Sequence, residues 1–371
     1  MRYLVYMMLC ALSLYAITAD EIYFVYKSKG IKAVEELLKK EYENKEQPAE
    51  TKSSKEVEVF KEQPNKEPVV REPIKIVKKT KPKAPSEREL ISKDYWLKQL
   101  KNVDVSYGFY DDVDSLIVCE KEKKRCEVYR NGDDGLKLVK VHDDVIMGKG
   151  GDKTKRGDLK TPVGVYEIIK RFKPTNQFYG PLAFSLSYPN LFDTLRNKSG
   201  DGIWIHGKPL DGKDRDDLSK GCVVMDNNVI LNLDAEINAD STVVIIGENK
   251  VPRVTAPSVA AVLSEVYKWQ HAWKVNDLNA YLNFYSNEFK KSDGSGKAKF
   301  SAMKQQIFSR KENKTIVFEK ISVSPYPTVD DRKLFKISFY QIYKSPSFAS
   351  KGDKELYVEM VGDKMQILAE K

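Results

Sequence analysis

Between Gly202 and Asp226 the chain reads GIWIHGKPLDGKDRDDLSKGCVVMD: a short apolar run ending in a histidine, a charged loop, and a cysteine sixteen residues after that histidine. Cys222 and His206 are the residue types of a thiol nucleophile and its general base. A neighbouring imidazole lowers a thiol pKa from about 8.5 and raises the thiolate fraction. Gly207 and Gly221 let backbone approach the reacting centre, and the N–H groups of Gly221 and Cys222 are candidate oxyanion donors. No carboxylate adjoins His206, so the Gly207 carbonyl is the nearest partner for its second nitrogen. The competing reading is a buried thiol beside a core histidine, with Trp204 packed on it.

The start of the chain sets the compartment in which that thiol works. Arg2, the apolar run Tyr3–Ile17 and the small residues before Asp20 follow the order of a secretory signal peptide, so residues 1–19 are expected to be cleaved near Ala19. The run is too short for a membrane span, and export to the periplasm is expected. Cys10 leaves with the signal. Cys119 and Cys126 flank six charged residues between alternating segments, a hairpin that sets the two sulfurs opposite each other as a disulfide or as two buried thiols. Cys222 is the odd thiol left over, which marks it as a reactive-residue candidate.

Outward from the motif, 104–249 consists of short β-rich runs punctuated by Gly, Pro, Asn and Asp, a mainly β domain. Residues 255–371 open with the helical stripe Val259, Val262, Leu263, Val266, Trp269 and Trp273 and end in four strand-like runs, an α+β unit with helices on one face of a curved sheet. Towards the N-terminus, residues 20–43 and 93–103 carry helical patterning and are expected to pair as a small helical unit. Between them, 44–92 holds six of the sixteen prolines among Lys and Glu, the composition of a disordered spacer. The fold class is therefore multidomain α+β.

Across 371 residues the charge balance of 63 basic against 54 acidic residues gives +9. A nucleic-acid partner is one reading of that excess but needs a basic face or a recognisable module, and neither is present; an anionic cell envelope is an equally good reading. His142 and His271 stand alone, so neither a metal nor any other cofactor is expected. Ser301-Ala-Met-Lys304 matches Ser-x-x-Lys without the companion motifs of penicillin-binding enzymes.

His206 with Ser219-Lys-Gly-Cys222, the strand entry Thr161-Pro-Val-Gly164 and Ser187-Tyr-Pro-Asn190 occur in the order found in the L,D-transpeptidase (YkuD-like) catalytic domain, which this chain resembles. Two positions depart from the family pattern, Lys220 where a His is usual and Val224 where an Arg is common. With Lys220, and with the Gly30–Leu38 helix, Tyr95-Trp-Leu97 and Glu355–Glu359, the chain is most similar to the cell-shape L,D-carboxypeptidases of spiral epsilonproteobacteria. The resemblance implies a C-terminal NTF2-like domain, a homodimer formed through the N-terminal helices, and peptidoglycan stem peptides as substrate. It makes Cys222, His206 and Gly207 the catalytic residues and places Ser219, Lys220 and Trp204 beside the substrate. It also implies release of the terminal D-Ala of a tetrapeptide stem; cross-linking by transpeptidation, and a non-catalytic envelope scaffold, are the alternatives. The C-terminal domain is expected to position glycan or a partner, so that residues 20–254 alone keep some activity on small soluble muropeptides and lose it on intact sacculi.

Overall fold

The computed structural model describes residues 84–212, 217–328 and 332–371, and Thr80–Lys371 forms one compact unit. The expected signal peptide, the Gly30–Leu38 helix and the lysine-rich run 75–83 lie outside the described residues.

After two short helices, α1 (Glu87–Leu90) and α2 (Lys93–Gln99), and the two-residue strand β1 (Phe109–Tyr110), the chain builds a mixed sheet. Its strands are β2 (Ser115–Glu120), β3 (Arg125–Gly132), β4 (Gly135–His142), β5 (Gly164–Phe172), β6 (Ala183–Leu186), β7 (Trp204–His206), β8 (Val223–Val224) and β9 (Thr242–Gly247). Helix α3 (Leu191–Leu195) follows β6, and α4 (Asn227–Glu236) follows β8. The order across the sheet is β4-β3-β2-β9-β5-β6-β7-β8.

Strand β9 reads Thr-Val-Val-Ile-Ile-Gly, and all of it is buried. A run without polar alternation belongs to a strand covered on both faces, and here the faces serve two cores. Val244 and Ile246 pack with Ile117, Ile205, Val223 and Leu233. Val243 and Ile245 pack with Leu116 and Val118 and with Tyr326, Leu334 and Tyr357 from the C-terminal unit. The β2–β3 hairpin turns through residues 121–124 and sets Cys119 opposite Cys126; the two are disulfide-bonded and fully buried.

The C-terminal unit comprises α5 (Ala256–Lys274), α6 (Leu278–Asn283), β10 (Tyr285–Lys291), α7 (Lys297–Phe308), β11 (Thr315–Tyr326), β12 (Leu334–Lys344), β13 (Ala349–Val361) and β14 (Lys364–Glu370). Its sheet runs β1-β11-β12-β13-β14-β10, so β1 joins it as an edge strand, with Phe109 opposite Val323. The apolar stripe of α5 lies buried against this sheet, and Trp269 stacks on Phe318 and Tyr281 at 5.7 and 5.9 Å. Each fully buried large apolar side chain of such a stripe contributes roughly 1.5–3 kcal/mol. Across the seam between the sheets, the buried Lys336 of β12 pairs with Glu167 of β5, which also accepts from Ser187 Oγ at 2.9 Å. Burial disfavours both charges, but their mutual attraction prevails, lowering the Glu167 pKa and raising that of Lys336.

One expectation needs correction at the N-terminal edge. The spacer does not run to residue 92: Ser86 Oγ accepts from the Glu89 N–H while the Glu89 carboxylate accepts from the Ser86 N–H, a capping box that starts α1. That helix is anchored through Glu87, which accepts from Lys274 at 2.8 Å and lies 2.6 Å from His271 Nδ1. The 93–103 segment docks on the C-terminal unit: Trp96 stacks on Tyr267 of α5 at 5.6 Å and donates to the Leu90 carbonyl at 2.8 Å. The helix expected to be its partner lies outside the described residues.

Candidate active site

Strand β7 runs parallel to β8, pairing Ile205 with Val223 and His206 with Val224. Paired residues face the same way and alternate residues share a face. Trp204, His206 and, two positions before Val224, Cys222 are thereby set on one side of neighbouring strands. His206 is fully buried and Cys222 partly exposed. His206 Nδ1 lies 2.7 Å from the Gly207 carbonyl oxygen. A carbonyl only accepts, so Nδ1 carries the hydrogen and Nε2 is the basic nitrogen of the neutral ring. The Cys222 thiol lies 3.5 Å from the Gly202 carbonyl, at the strand's entry.

The turn before the thiol is held from within. Ser219 N–H donates to the Met147 carbonyl at 2.9 Å, its hydroxyl donates to the Cys222 carbonyl at 2.6 Å, and it accepts from the Gly221 N–H at 3.1 Å. Ser219 is therefore a buried brace of the turn, and its assignment to substrate binding is withdrawn. The Gly221 N–H is engaged by that brace, which removes it from the expected oxyanion pair. Gly221 has φ +127°, and a Cβ there would lie 2.9 Å from the Lys160 carbonyl oxygen, so the position requires glycine. A Cβ on Gly207 would overlap the Asn227 side chain and stand 2.8 Å from Pro181 Cδ. Lys220 is exposed and has no side-chain partner among the described residues.

Trp204 is half-buried, edge-on to Phe172 at 5.0 Å and to Tyr179 at 4.9 Å, and Tyr179 stands edge-on to His206 at 5.0 Å. Tyr179 stands against the histidine and Asn227 against Gly207, and neither was singled out from sequence. Tyr179 sits in one 3-10 turn, Gln177–Tyr179, whose only sequence signal is its cap: Asn176 Oδ1 accepts from the Phe178 N–H at 3.0 Å.

With this geometry the comparisons agree. Residues 114–246 match the L,D-transpeptidase catalytic domain (YkuD), and 261–371 match the Cds6 C-terminal NTF2-like domain. Two crystal structures of the helical cell shape determining protein Pgp2 from Campylobacter jejuni, the first of them a point mutant, are 38% and 39% identical to this chain. They cover 78% and 76% of it and 100% and 99% of themselves, with TM-scores of 0.74 and 0.72. Bd1075 of Bdellovibrio bacteriovorus is 27% identical over 72% of this chain and 95% of its own, with a TM-score of 0.58. No curated protein sequence matches the chain. The chain belongs to the L,D-transpeptidase (YkuD) family, in the form that carries a C-terminal NTF2-like domain.

Proposed function

We propose that the protein is a peptidoglycan L,D-carboxypeptidase that works through Cys222 and His206. The observation that supports it most is the parallel β7–β8 pairing, which brings the two residues to one face while the Gly207 carbonyl fixes the histidine tautomer. In this reading His206 Nε2 takes the thiol proton and Cys222 Sγ attacks the carbonyl of the L-centre of the third stem residue. The tetrahedral oxyanion collapses to a thioester, and the proton on His206 goes to the departing D-Ala amine. Water, deprotonated by His206, then attacks the thioester; tripeptide leaves and the thiol is restored. No step uses a metal or cofactor. Lys220 and Val224 replace residues usual in cross-linking members, and a cation at Lys220 disfavours a protonated amine acceptor at the thioester, which supports water as the acceptor.

The same reading places the mature protein in the periplasm after signal cleavage, as a homodimer joined by its N-terminal helices. It assigns a contribution to cell shape, because Pgp2 bears that description. Among the described residues no helix is long and apolar enough to cross a membrane. The test is Cys222→Ala, which removes a nucleophile and no large core side chain. D-Ala release from a tetrapeptide muropeptide is expected to disappear while the melting temperature holds. Wild-type release by this variant refutes Cys222 as the nucleophile, whereas no release by the wild-type protein itself leaves the scaffold alternative.

A further inference from the structure

The wall behind the nucleophile turn is the Lys160 carbonyl, 2.9 Å from where a Cβ of Gly221 would stand. What holds Lys160 there is a loop built around one carboxylate. Asp158 has a side chain 7% exposed, and each of its oxygens serves two donors. Oδ1 accepts from Lys153 Nζ at 2.7 Å and from the Lys160 N–H at 3.1 Å. Oδ2 accepts from the N–H groups of Thr154 and Lys155 at 2.8 and 3.1 Å. Burial alone raises such a carboxyl's pKa, but Lys153 and the three N–H groups hold it well below the usual carboxylate range. The loop is then tied to the segment that braces the thiol turn: the Leu159 carbonyl accepts from the Lys149 N–H and Thr161 Oγ1 from the Gly148 N–H, both at 2.8 Å, next to the Met147 carbonyl that holds Ser219.

The other end of this loop reaches the C-terminal unit. Asp152 accepts from the Val163 N–H at 2.9 Å and from Lys198 Nζ at 2.6 Å, and Lys198 also donates to the fully buried Asp193 at 2.8 Å. Asp193 donates its N–H to Asn190 Oδ1 at 2.8 Å, and Asn190 Nδ2 donates to the Tyr326 hydroxyl of β11 at 3.1 Å. All of these side chains lie in the interior or at its edge, where a polar group left unmatched costs about 1–3 kcal/mol. The path is therefore a connected set of satisfied bonds from β11 to the loop beside Gly221.

We propose that Asp158 is a positioning residue for Cys222, acting through Lys160 and Gly221, and that the C-terminal domain steadies it along Tyr326, Asn190, Asp193, Lys198 and Asp152. This rests on the reading of Cys222 as the nucleophile. An asparagine at 158 has a single acceptor oxygen, so its NH2 group must face two donors and the loop opens. Gly221 then loses its wall, and the thiol moves relative to the imidazole on the scale, below 1 Å, that catalytic geometry does not tolerate.

Cys222 is the one cysteine outside a disulfide among the described residues, so the pH dependence of its alkylation by iodoacetamide reads its apparent pKa without any substrate. In Asp158→Asn that pKa is expected to rise towards the free-thiol value of about 8.5, with alkylation at pH 7 slowed about tenfold and D-Ala release reduced in proportion. Tyr326→Phe is expected to move it the same way by less. An unchanged pH profile in folded Asp158→Asn overturns the proposal, even where the melting temperature falls, because a purely structural role lowers stability without moving the thiol. If Asp158→Asn does not fold, Lys153→Met keeps the three backbone bonds and carries the same expectation and the same refutation. A wild-type protein that releases no D-Ala while the alkylation profile shifts as expected refutes the carboxypeptidase reading and leaves the positioning role standing.

Discussion

His206 and Cys222 act as one unit in the proposed chemistry, so single losses are not additive. His206→Ala is expected to reduce D-Ala release nearly as far as Cys222→Ala, and the double variant no further. A double variant much slower than either single one contradicts a shared step. Gly221→Ala tests the turn itself, because a side chain there meets both an unfavourable φ and the Lys160 carbonyl. Backbone strain of this kind costs about 1–3 kcal/mol, and both thermal stability and Cys222 alkylation are expected to fall. Normal alkylation in that variant argues against the tight turn. At this scale the sequence was partly legible: the sixteen-residue interval and the lack of a carboxylate beside His206 pointed to the pair and to the Gly207 carbonyl. The bonds of Ser219 and Asp158 were hidden, because a side chain that accepts from N–H groups two to four residues away in an irregular loop leaves no period to read.

Among the elements, α5 and β9 were readable for opposite reasons, a 3.6-residue apolar stripe and an unbroken apolar run. Helix α1 escaped because its four residues carry no buried side chain and its Ser86-x-x-Glu89 cap sits in a Pro/Lys/Glu-rich stretch. Helix α7 holds a less expected feature. Lys304 is 7% exposed, without an ion pair among the described residues, and its ammonium lies 4.7 Å from the Trp273 ring centre and 5.1 Å from those of Tyr281 and Phe300. Burial pushes its pKa down to about 8 from the ordinary 10.5. Between those values the unfolded chain binds more protons than the folded one, so this group's contribution to stability rises with pH across the window and levels off above it. Lys304→Met is expected to stabilise the protein at pH 7, by up to roughly 3 kcal/mol, and to lose that gain as pH approaches 10.5. Denaturant curves for both proteins at pH 7 and 10 check this, and a pH-independent difference contradicts it.

For the whole molecule, the shared core between the two sheets changes what the C-terminal unit is for. The sequence suggested a separable accessory domain, so residues 20–254 alone were expected to keep activity on small muropeptides. Leu116, Val118, Val243 and Ile245 of the catalytic sheet instead face Tyr326, Leu334 and Tyr357, and removing the C-terminal unit exposes that apolar face. The truncated chain is now expected to lose activity on soluble muropeptides and intact sacculi alike, with a loss of cooperative thermal unfolding. A stable, active fragment contradicts the shared core. Sequence patterns could not show this: an unbroken apolar strand says that both faces are covered and is silent on which part of the chain covers them. The reaction outcome is likewise a property of the assembled site, since hydrolysis and cross-linking share the same acylation. The most direct measurement is therefore the product partition when the full-length protein is incubated with monomeric tetrapeptide muropeptide. The account predicts tripeptide and free D-Ala in equal amounts, with cross-linked dimers only a trace; 3–3 dimers accumulating faster than tripeptide contradict it.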